Sequence, residues 1–476
     1  MSSRRTRLVC TLGPATGTLE GVRALAEAGT DVFRINLSHG DAATRAPLFA
    51  LVRAVAQERG EDLALMADLP GPKIRLGAIE GGAVRLEVGS RFELRAAGDR
   101  SGDATGAPTT YSGLAGDLRP GDRILLSDGA VELSVDAIDG STVVTEVVRH
   151  GRIRSGAGVN VPAERLRLPA ITERDREALA EGLAAGADLI AQSFVRGPED
   201  VAGLRDLMDG NPVPIVAKIE TRPATERIGA ILEAADAIMV ARGDLGVELP
   251  MEEIPILQKE LLRAARVVGT PVIVATQMLE SMIAAPRPTR AEATDVANAV
   301  IDGTDAIMLS GETAIGEYPV EAVRAASRIA EVAEERAGAF RLVKAPCTHR
   351  DEASAVAHAA AQIASDDPSV VAIACFTRTG RTAALLSDER PSVPIVAFVP
   401  EAPVRRSLAL RWGVRTLPAS VPQDTDEMIA LMDAGLVRAG LASAGDSVVM
   451  AASSPAGQTH TNLLKVHHIG GPGASE

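Results

Sequence analysis

Side chains able to do chemistry stand where short apolar segments of this chain end. In FRINLSHG, Arg34, Asn36 and Ser38 alternate by two, so they share one face of an extended segment. Lys218 and Glu220 alternate in the same way in AKIE. Three further segments end in Asp244 (RGDLG), Thr276 (ATQ), and Ser310 and Glu312 (LSGET). Taken singly, Ser38, Ser310 or Glu312 is better interpreted as a helix cap, but cations, acids and hydroxyls that converge indicate a binding site.

This set of side chains suits the chemistry of phosphate groups. Glu220 and Asp244 are candidate ligands of Mg2+, which is typically held by one or two carboxylates while substrate oxygens complete its shell. Arg34 offers a planar fork to phosphate oxygens, and Lys218 offers a compact, movable charge. Gly243 lets backbone N–H groups approach an anion. Phosphoryl transfer needs such groups, and the sequence has neither a Walker A motif nor a protein-kinase glycine loop to hold the phosphates instead.

Eight short, β-rich apolar runs carry these residues at their ends. Most runs are separated by amphipathic, helix-like stretches that close on a Gly stop signal, as in LEGVRALAEAG. Apolar strands that alternate with helices predict a parallel sheet covered on its outer face, and eight such units predict a (β/α)8 TIM barrel whose active site lies at the C-terminal ends of the strands. The runs are residues 7–13, 31–37, 63–68, 188–194, 214–220, 237–243, 271–276 and 306–311.

Two regions lie outside this pattern. About a hundred residues between the third and fourth runs alternate β-formers with Gly and Asp, and an unstructured loop of that length is improbable, so they predict an inserted small all-β domain. After about residue 340, apolar runs alternate with helices again and predict an open-sheet α/β domain. The predicted boundaries are 1–70 with 164–340 for the barrel, 71–163 for the insertion, and 341–476 for the third domain.

Composition excludes several classes of protein. The chain of 476 residues has a net charge of −14 and scattered basic residues, so no nucleic-acid partner is expected. No apolar stretch approaches the roughly 20 residues of a membrane span, and the N-terminal segment has no signal-peptide pattern. Three widely spaced cysteines predict neither disulfides nor a zinc site. These features predict a cytoplasmic protein without a membrane partner.

Seven segments of the chain resemble pyruvate kinases, in the order and spacing of that family and across nearly the whole length. They are RINLSHG, DLPGPKIR, AKIET, MVARGDLG, VIVATQMLESM, RPTRAEATDVANAVIDGTDAIMLSGETA and TNLLKVH. The long sixth segment is the most specific. The resemblance implies a barrel with a β-rich lid inserted after its third strand, a C-terminal allosteric domain, and a homotetramer. It also implies transfer of the phosphoryl group of phosphoenolpyruvate to ADP, which gives pyruvate and ATP in the last step of glycolysis.

The resemblance implies roles for single residues on the substrate side. Arg34 would contact the transferred phosphoryl group, and Lys218 would stabilise charge on that group and on the enolate oxygen. Glu220 and Asp244 would hold the catalytic Mg2+, or Mn2+ in its place. Thr276, with water, would lie near the carbon that is protonated to give pyruvate. The substrate carboxylate would be bound by Gly243, Asp244 and Thr276.

On the nucleotide side the chain departs from the family. Asn36, His39 and Arg75 match family positions beside the nucleotide phosphates, and a second Mg2+ would arrive with ADP. The family often reads KKGVN or RKGVN on the lid, where a lysine reaches the nucleotide, but this chain reads GAGVN at 156–160. ADP binding is therefore expected to depend more on Arg75 or on another arginine such as Arg154.

The segment ADLPGPKIRLG, residues 67–77, is the second departure. Many family members read DTKGPEIRTG there and hold a K+ ion among an Asn, a Ser, the Asp and the Thr. This chain keeps Asn36, Ser38 and Asp68, but Leu69 replaces the Thr and Lys73 replaces the Glu. Because an ammonium can occupy the place of a free monovalent cation, we expect that K+ is not required. The alternative is a solvated lysine after a turn.

A loop of the third domain, FTRTGRTA, combines hydroxyls, a glycine and two guanidiniums after an apolar run. Such a loop suits a phosphate group, although an ordinary helix cap explains it as well. The family uses this loop for phosphorylated effectors, so the resemblance implies an allosteric anion site. Its residues are Thr377, Arg378, Thr379, Gly380, Arg381 and Thr382.

Two other functions remain as alternatives. One is another metal-dependent barrel enzyme that handles phosphoenolpyruvate or pyruvate, such as a lyase or an aldolase; the insertion and Arg75 argue against it. The other is a catalytically weakened paralogue that senses a phosphorylated metabolite through its third domain, an interpretation supported only by the missing lid lysine.

Overall fold

Eight parallel strands close into the predicted barrel, and three further sheets lie outside it in the computed structural model, which describes residues 4–96, 98, 101–127, 129–337, 351–453 and 461–470. The strands are, in chain order, β1 (Arg7–Thr11), β2 (Val32–Asn36), β3 (Ala64–Asp68), β4 (Ala83–Leu86), β5 (Arg91–Arg95), β6 (Gly106–Pro108), β7 (Arg123–Leu126), β8 (Val131–Asp139), β9 (Thr142–Arg149), β10 (Gly151–Arg154), β11 (Val159–Asn160), β12 (Leu189–Gln192), β13 (Ile215–Ile219), β14 (Ala237–Ala241), β15 (Val272–Ala275), β16 (Ala306–Leu309), β17 (Val370–Phe376), β18 (Ile395–Val399), β19 (Val414–Pro418), β20 (Ser447–Ala452) and β21 (Leu463–His468).

The helices follow most strands of the barrel and of the third domain. They are α1 (Leu19–Ala28), α2 (Ala42–Arg59), α3 (Leu114–Asp117), α4 (Glu173–Ala184), α5 (Pro198–Leu207), α6 (Arg222–Glu226), α7 (Ile228–Ala234), α8 (Arg242–Glu248), α9 (Ile254–Val268), α10 (Arg290–Ile301), α11 (Gly311–Ala314), α12 (Pro319–Ala337), α13 (Glu352–Asp366), α14 (Arg381–Asp388), α15 (Ala402–Ser407) and α16 (Thr425–Arg438), with short 3-10 turns at Glu80–Gly82, Ala163–Arg165, Glu280–Ile283 and Leu408–Leu410.

The barrel closes in the order β1-β2-β3-β12-β13-β14-β15-β16, and β16 pairs back onto β1. Each strand lies inside one of the eight runs, so the predicted fold class is confirmed for the barrel. Side chains alternate between an interior cluster that includes Met66, Met239 and Met308 and a second cluster that faces the surrounding helices. Leu410 of the third domain joins the interior cluster.

Local capping signals in the sequence explain where several barrel helices begin and end. Capping boxes at Asp41–Thr44, Thr172–Asp175 and Thr289–Glu292 satisfy the free N–H groups of α2, α4 and α10. At the other end, Gly29 and Gly269 adopt positive φ values of 112° and 76° after α1 and α9, a conformation that glycine adopts without strain.

The segment between β3 and β12 forms two sheets of its own. One is six-stranded in the order β11-β7-β8-β9-β5-β6, and the other pairs β4 with β10. They enclose a separate core that includes Phe92, Leu126 and Val147. We call these sheets the lid. The predicted boundaries 70/71 and 163/164 remain predictions.

The third domain contains a five-stranded sheet in the order β19-β18-β17-β20-β21. The apolar runs of the sequence predict β17, β18 and β20 but miss the edge strands β19 and β21. Edge strands are half-exposed, and β21, which pairs antiparallel to β20, has a mixed polar pattern. The C-terminal α/β domain is confirmed, while its predicted start at residue 341 lies outside the described residues.

A repeated device holds the strands together at the N-terminal end of the barrel. An aspartate that precedes one strand accepts a backbone N–H from the neighbouring strand: Asp31 from Leu8 and Asp188 from Leu65. Asp236 and Asp305 do the same for Ile215 and Val272. Each carboxylate also pairs with at least one arginine, and Arg390 and Arg406, which pair with Asp305 and Asp188, belong to the third domain. This end of the barrel is thus docked on the third domain.

Within the described residues, no helix has the length and apolar character needed to cross a membrane. Cys10 and Cys375 are buried free thiols, and Cys347 lies outside the described residues.

Candidate active site

A cluster of buried charges occupies the C-terminal rim of the barrel. Lys218, on β13, has its Nζ 3.3 Å from Asp68 Oδ1 and 2.9 Å from Glu220 Oε1. Arg34, on β2, donates from Nε to Asp68 Oδ2 at 2.7 Å and from Nη1 to Thr11 Oγ1 at 2.9 Å. These four charged side chains, two cations and two carboxylates, are the rim cluster. Parallel strands carry them to one edge, as the alternation in the sequence predicted.

Two members of this site were missed by sequence reasoning. Ser193, just past β12, accepts a hydrogen bond from Lys218 Nζ at 2.8 Å and donates to the Leu69 carbonyl at 2.8 Å. Phe194 has a φ of 55° and donates its backbone N–H to Glu220 Oε2 at 2.9 Å. The signal was available, because Ser193 lies near the end of the fourth run, as the other rim residues lie near the ends of theirs.

The charges of the rim cluster fix its protonation states. Burial would lower the pKa of Lys218, but Asp68 and Glu220 outweigh it and raise that pKa above its ordinary value. Burial would likewise raise the pKa of Asp68, yet Lys218 and Arg34 hold it below the ordinary range. Burial raises the pKa of Glu220; Lys218 opposes this effect and Asp244 adds to it. Lys218 is therefore an ammonium at every physiological pH.

The acids of the rim fit a divalent cation that relies on substrate for most of its ligands. The described residues contain no group of three or more potential metal-ligating side chains. Glu220 Oε1, however, is buried and lies 2.9 Å from the Lys218 ammonium, but it accepts no hydrogen bond of regular geometry. The Asp244 carboxylate lines the open cleft beside it. In sites that it shares with phosphate, Mg2+ is typically bound by one or two carboxylates, and substrate oxygens complete its coordination.

Thr276 and Gly243 are joined directly. The Gly243 N–H donates to Thr276 Oγ1 at 2.8 Å, and the Arg242 Nη2 donates to the Thr276 carbonyl at 2.7 Å. Asp295 in turn holds Arg242 through two bonds of 2.7 and 2.8 Å. Thr276 has a φ of 68°, an unusual value for a β-branched residue that costs on the order of 1–3 kcal/mol. Strain of this kind marks positions that the surrounding structure holds for a function.

Lys73 reaches the rim from the far side of the Pro-Gly-Pro break. Its Nζ lies 3.6 Å from Asp244 Oδ1 and 5.6 Å from the centre of the Phe194 ring. Among the ion pairs of the described chain, Lys73 thus pairs with Asp244, whereas Asp68 pairs with Arg34 and Lys218. Leu69 is buried. The lysine places a positive charge at the mouth of the site.

The other predicted residues lie around this mouth. Asn36 Oδ1 accepts the Ser38 N–H at 3.0 Å, which fixes the turn after β2. Burial and the nearby charges of Arg75, Arg34 and Lys73 lower the pKa of His39, so this ring is neutral at pH 7.

Glu312 serves the backbone instead, whereas Ser310 precedes α11 without a side-chain capping bond. Glu312 is buried, and its carboxylate accepts the N–H groups of Ser310 and Leu279 at 2.8 and 3.0 Å. The structural role favoured in the sequence is consistent with these bonds for Glu312, while Ser310 makes no side-chain cap.

A cleft of about 610 Å3 separates the lid from the rim. Asp244 and Glu248 line it from the barrel side, and Arg75, Arg152, Arg154 and residues 155–161 line it from the lid. Within the lid, Arg75 is bridged to Gly158, and its Nη1 donates to the Gly156 carbonyl at 3.0 Å. The cleft has room for a second substrate next to the rim cluster.

The loop at 377–382 of the third domain is built as a turn into α14. Thr377 Oγ1 accepts the Gly380 N–H at 3.0 Å, and Thr382 Oγ1 lies 2.6 Å from Thr461 Oγ1. Arg381 pairs with Asp351. Arg378 and Thr379 are exposed. The loop therefore presents exposed polar groups at the start of a helix.

Comparison with known proteins agrees with this architecture. A family model described as "Pyruvate kinase, barrel domain" matches residues 3–323, and one described as "Pyruvate kinase, alpha/beta domain" matches residues 354–467. The chain belongs to the pyruvate kinase family. The family, the enzyme class of a phosphotransferase and the function of a pyruvate kinase, all predicted from the sequence, are thereby confirmed.

Individual pyruvate kinases are similar over nearly the whole chain. The enzyme of Mycobacterium tuberculosis is 44% identical over 473 residues, which are 98% of this chain and 99% of the relative. That of Geobacillus stearothermophilus is 43% identical over 483 residues, or 98% of this chain and 80% of the relative. A crystal structure of a pyruvate kinase from Cryptosporidium parvum superposes with a TM-score of 0.90 at 33% identity and covers 98% of this chain and 96% of its own.

Proposed function

We propose that the rim cluster transfers the phosphoryl group of phosphoenolpyruvate to ADP and that Lys218 is its central cation. The observation that carries this proposal is a buried, permanently charged Lys218 held between Asp68 and Glu220 at the open end of the barrel, beside Arg34. Positive charge fixed where the phosphoryl oxygens gather is the main requirement of phosphoryl transfer.

The reaction breaks the bond between phosphorus and the enol oxygen and forms one to a terminal phosphate oxygen of ADP. Arg34 binds the phosphoryl oxygens, and Lys218 stabilises charge on them and on the enolate oxygen that remains. Gly243, Asp244 and Thr276 hold the substrate carboxylate. The enolate then accepts a proton at carbon, on the side where Thr276 Oγ1 and water lie, which gives pyruvate.

Glu220 and Asp244 are the residues that would hold Mg2+, or Mn2+. When bound, the ion neutralises phosphate and enolate charge. Phe194 positions Glu220 through its backbone N–H, and Lys73 balances the charge of Asp244. A second Mg2+ would arrive with ADP, whose phosphates would lie beside Asn36, His39 and Arg75.

Lys73 replaces a free K+ ion in this proposal. Its support is the pairing of Lys73 with Asp244, which puts a fixed ammonium at the mouth of the site. The enzyme is then expected to be fully active without K+.

The remaining parts of the proposal concern the whole protein. A phosphorylated effector binds the loop at 377–382. The support for this site is the exposed polar groups that the loop carries at the start of α14. The protein acts in the cytoplasm as a homotetramer, as the family resemblance implies, with domains at 1–70 and 164–340, 71–163 and 341–476.

One assay tests the central proposal. Pyruvate formation from phosphoenolpyruvate is measured with Mg2+, with and without ADP, in K+-free buffer and then with K+ added. ADP-dependent turnover is expected. Pyruvate formation without ADP would favour another barrel enzyme. Absence of pyruvate formation both with and without ADP would favour the catalytically weakened sensor.

A further inference from the structure

Two arginines on the lid have no side-chain partner among the described residues. Arg152 and Arg154 lie on β10, alternate with the buried Ile153 and are both exposed, so they share one face of the strand. Neither forms an ion pair or a side-chain hydrogen bond within the part of the chain that the structure describes. Other exposed lid arginines do have carboxylate partners: Arg85 with Glu87, Arg91 with Glu93, and Arg123 and Arg149 with Glu132.

Both guanidiniums line the cleft that faces the rim cluster. The basic residues lining that cleft are Lys73, Arg75, Arg152, Arg154 and Arg196, and the acidic ones are Asp244 and Glu248. The cleft is therefore locally positive in a protein whose net charge is −14. Positive charge focused in a cleft of this kind attracts anions.

Arg75 is already engaged in holding the lid. Its Nη1 donates to the Gly156 carbonyl at 3.0 Å, and the neighbouring Leu76 N–H donates to Ala157 at 2.8 Å. The edge at 156–158 presents backbone and small side chains to the cleft and has no cation of its own. The nearest free lid cations along the chain are Arg152 and Arg154.

We propose that Arg152 and Arg154 are the lid cations that bind the phosphates of the nucleoside diphosphate. This inference rests on the proposed function. Two like charges on one strand face, about 7 Å apart at ~3.3 Å per residue, repel each other until an anion lies between them. Each guanidinium can grip phosphate oxygens with two parallel N–H bonds, which suits a diphosphate. Phosphoenolpyruvate, held at the rim, does not use them.

The test compares the double variant Arg152→Gln/Arg154→Gln with Arg85→Gln. Arg85 is the matched control: it stands opposite Arg152 in the β4–β10 pair and carries the same charge, but it is bonded to Glu87 and does not line the cleft. The KM for ADP is expected to rise at least about tenfold in the double variant, because losing one charge-assisted contact weakens binding by roughly that factor. The KM for phosphoenolpyruvate at saturating ADP should stay within about twofold, and Arg85→Gln should change neither constant by more than that.

A second measurement excludes a merely structural effect. In the wild type the KM for ADP should rise with ionic strength more steeply than in the double variant, because the salt-sensitive contacts are gone from the latter. Introducing an ammonium on the same wall, by adding Ala157→Lys to the double variant, should recover at least part of the lost ADP affinity. Circular dichroism and thermal unfolding check that all variants are folded.

The outcomes separate this inference from the proposed function. A double variant whose KM for ADP stays within twofold of the wild type overturns the role of Arg152 and Arg154, while ADP-dependent turnover by the wild type leaves the proposed function standing. Equal rises in both KM values would also overturn it, since they indicate a general disturbance of the lid. Absence of wild-type turnover would instead refute the proposed function.

Discussion

The two ends of the barrel use the same residue types for opposite purposes. At the N-terminal end, Asp31 pairs with Arg4 and Arg7 and also accepts the Leu8 N–H. At the C-terminal rim, Asp68 pairs with Arg34 and Lys218 in a similar way. The pKa of each aspartate is lowered, because burial would raise it but two cations outweigh the burial. Judged by one acid alone, the ends are indistinguishable.

The difference lies in what remains unsatisfied. The rim adds a second buried acid, Glu220, whose Oε1 lacks a hydrogen bond, and a strained Thr276. The four aspartates at the N-terminal end have no atom among the buried, unbonded oxygens of the described residues. Charges that are fully compensated stabilise a fold, whereas incompletely compensated ones are available to a substrate.

Lys218→Met tests the rim most strongly. Removing the central cation should lower kcat by about 10³-fold or more, comparable to the loss of an arginine finger, with phosphoenolpyruvate still bound through Arg34. Steady-state kinetics and substrate binding by fluorescence titration measure this. Lys259→Met is the control, because Lys259 pairs with Asp302 on the barrel exterior and should leave kcat within twofold. Near-normal turnover by Lys218→Met would end the role proposed for this lysine.

Asp68→Asn and Asp31→Asn form the direct comparison of the two ends. Each leaves two cations without their carboxylate partner. The free energy of unfolding should fall by roughly 3–5 kcal/mol for the buried Asp68 and by less for the partly exposed Asp31. Only Asp68→Asn should also lower kcat, by about 10²-fold, because Arg34 and Lys218 lose their common anchor. Denaturant unfolding and kinetics at a temperature where both variants are folded give the two quantities.

The stability of the Asp68→Asn and Asp31→Asn variants at acid pH provides a second comparison. Since each folded pKa lies below the ordinary 3.8, each aspartate stabilises the fold above that pH and loses its contribution as the pH falls through the folded pKa. Both variants should therefore show a weaker decline of stability below about pH 4 than the wild type. Equal kcat values for the two variants would contradict the functional contrast between the ends.

Lys73→Glu tests the built-in cation at the rim. The wild type should be fully active without K+, whereas the variant should lose on the order of tenfold in K+-free buffer, because a third acid then faces Asp244 and Glu220. Added K+ should restore most of that loss. Lys465→Glu, at an exposed position of β21, controls for the charge change. Strong K+ activation of the unmodified protein would refute the proposal.

Glu248→Gln should have the smallest effect of these substitutions. The pH dependence of stability that Glu248 causes is opposite in sign to that caused by Asp31. Glu248, at the end of α8, accepts the backbone N–H groups of Ala163 and Arg222; burial, with the charge of Glu164, raises its pKa to about 7. The folded state therefore binds the proton more tightly than the unfolded state, and stability falls as the pH rises from about 4.5 to 7, by on the order of 1 kcal/mol per unit. The variant should flatten this slope in unfolding experiments between pH 4.5 and 8, and an unchanged slope would assign it to another group.

The sequence determined the architecture and most of the rim. Runs of β-branched residues separated by amphipathic stretches are local patterns, and eight of them predict a barrel whose strand ends carry Arg34, Lys218 and Glu220. The edge strands β19 and β21 were not predicted, because half-exposed strands lack a continuous apolar run. The start of the third domain lies outside the described residues, so that boundary stays a prediction.

Only the tertiary structure decided which partner each charge has. Ser193 became a contact of Lys218 because β12 and β13 are adjacent, and Lys73 faces Asp244 because the chain turns back after Pro-Gly-Pro. It also distinguished Arg75, which is bonded to the lid backbone, from Arg152 and Arg154, whose side chains have no partner in the part of the chain that the structure describes. Periodicity fixes the face on which a side chain lies, but pairing between charges distant in sequence depends on three-dimensional distance, which falls outside any local pattern.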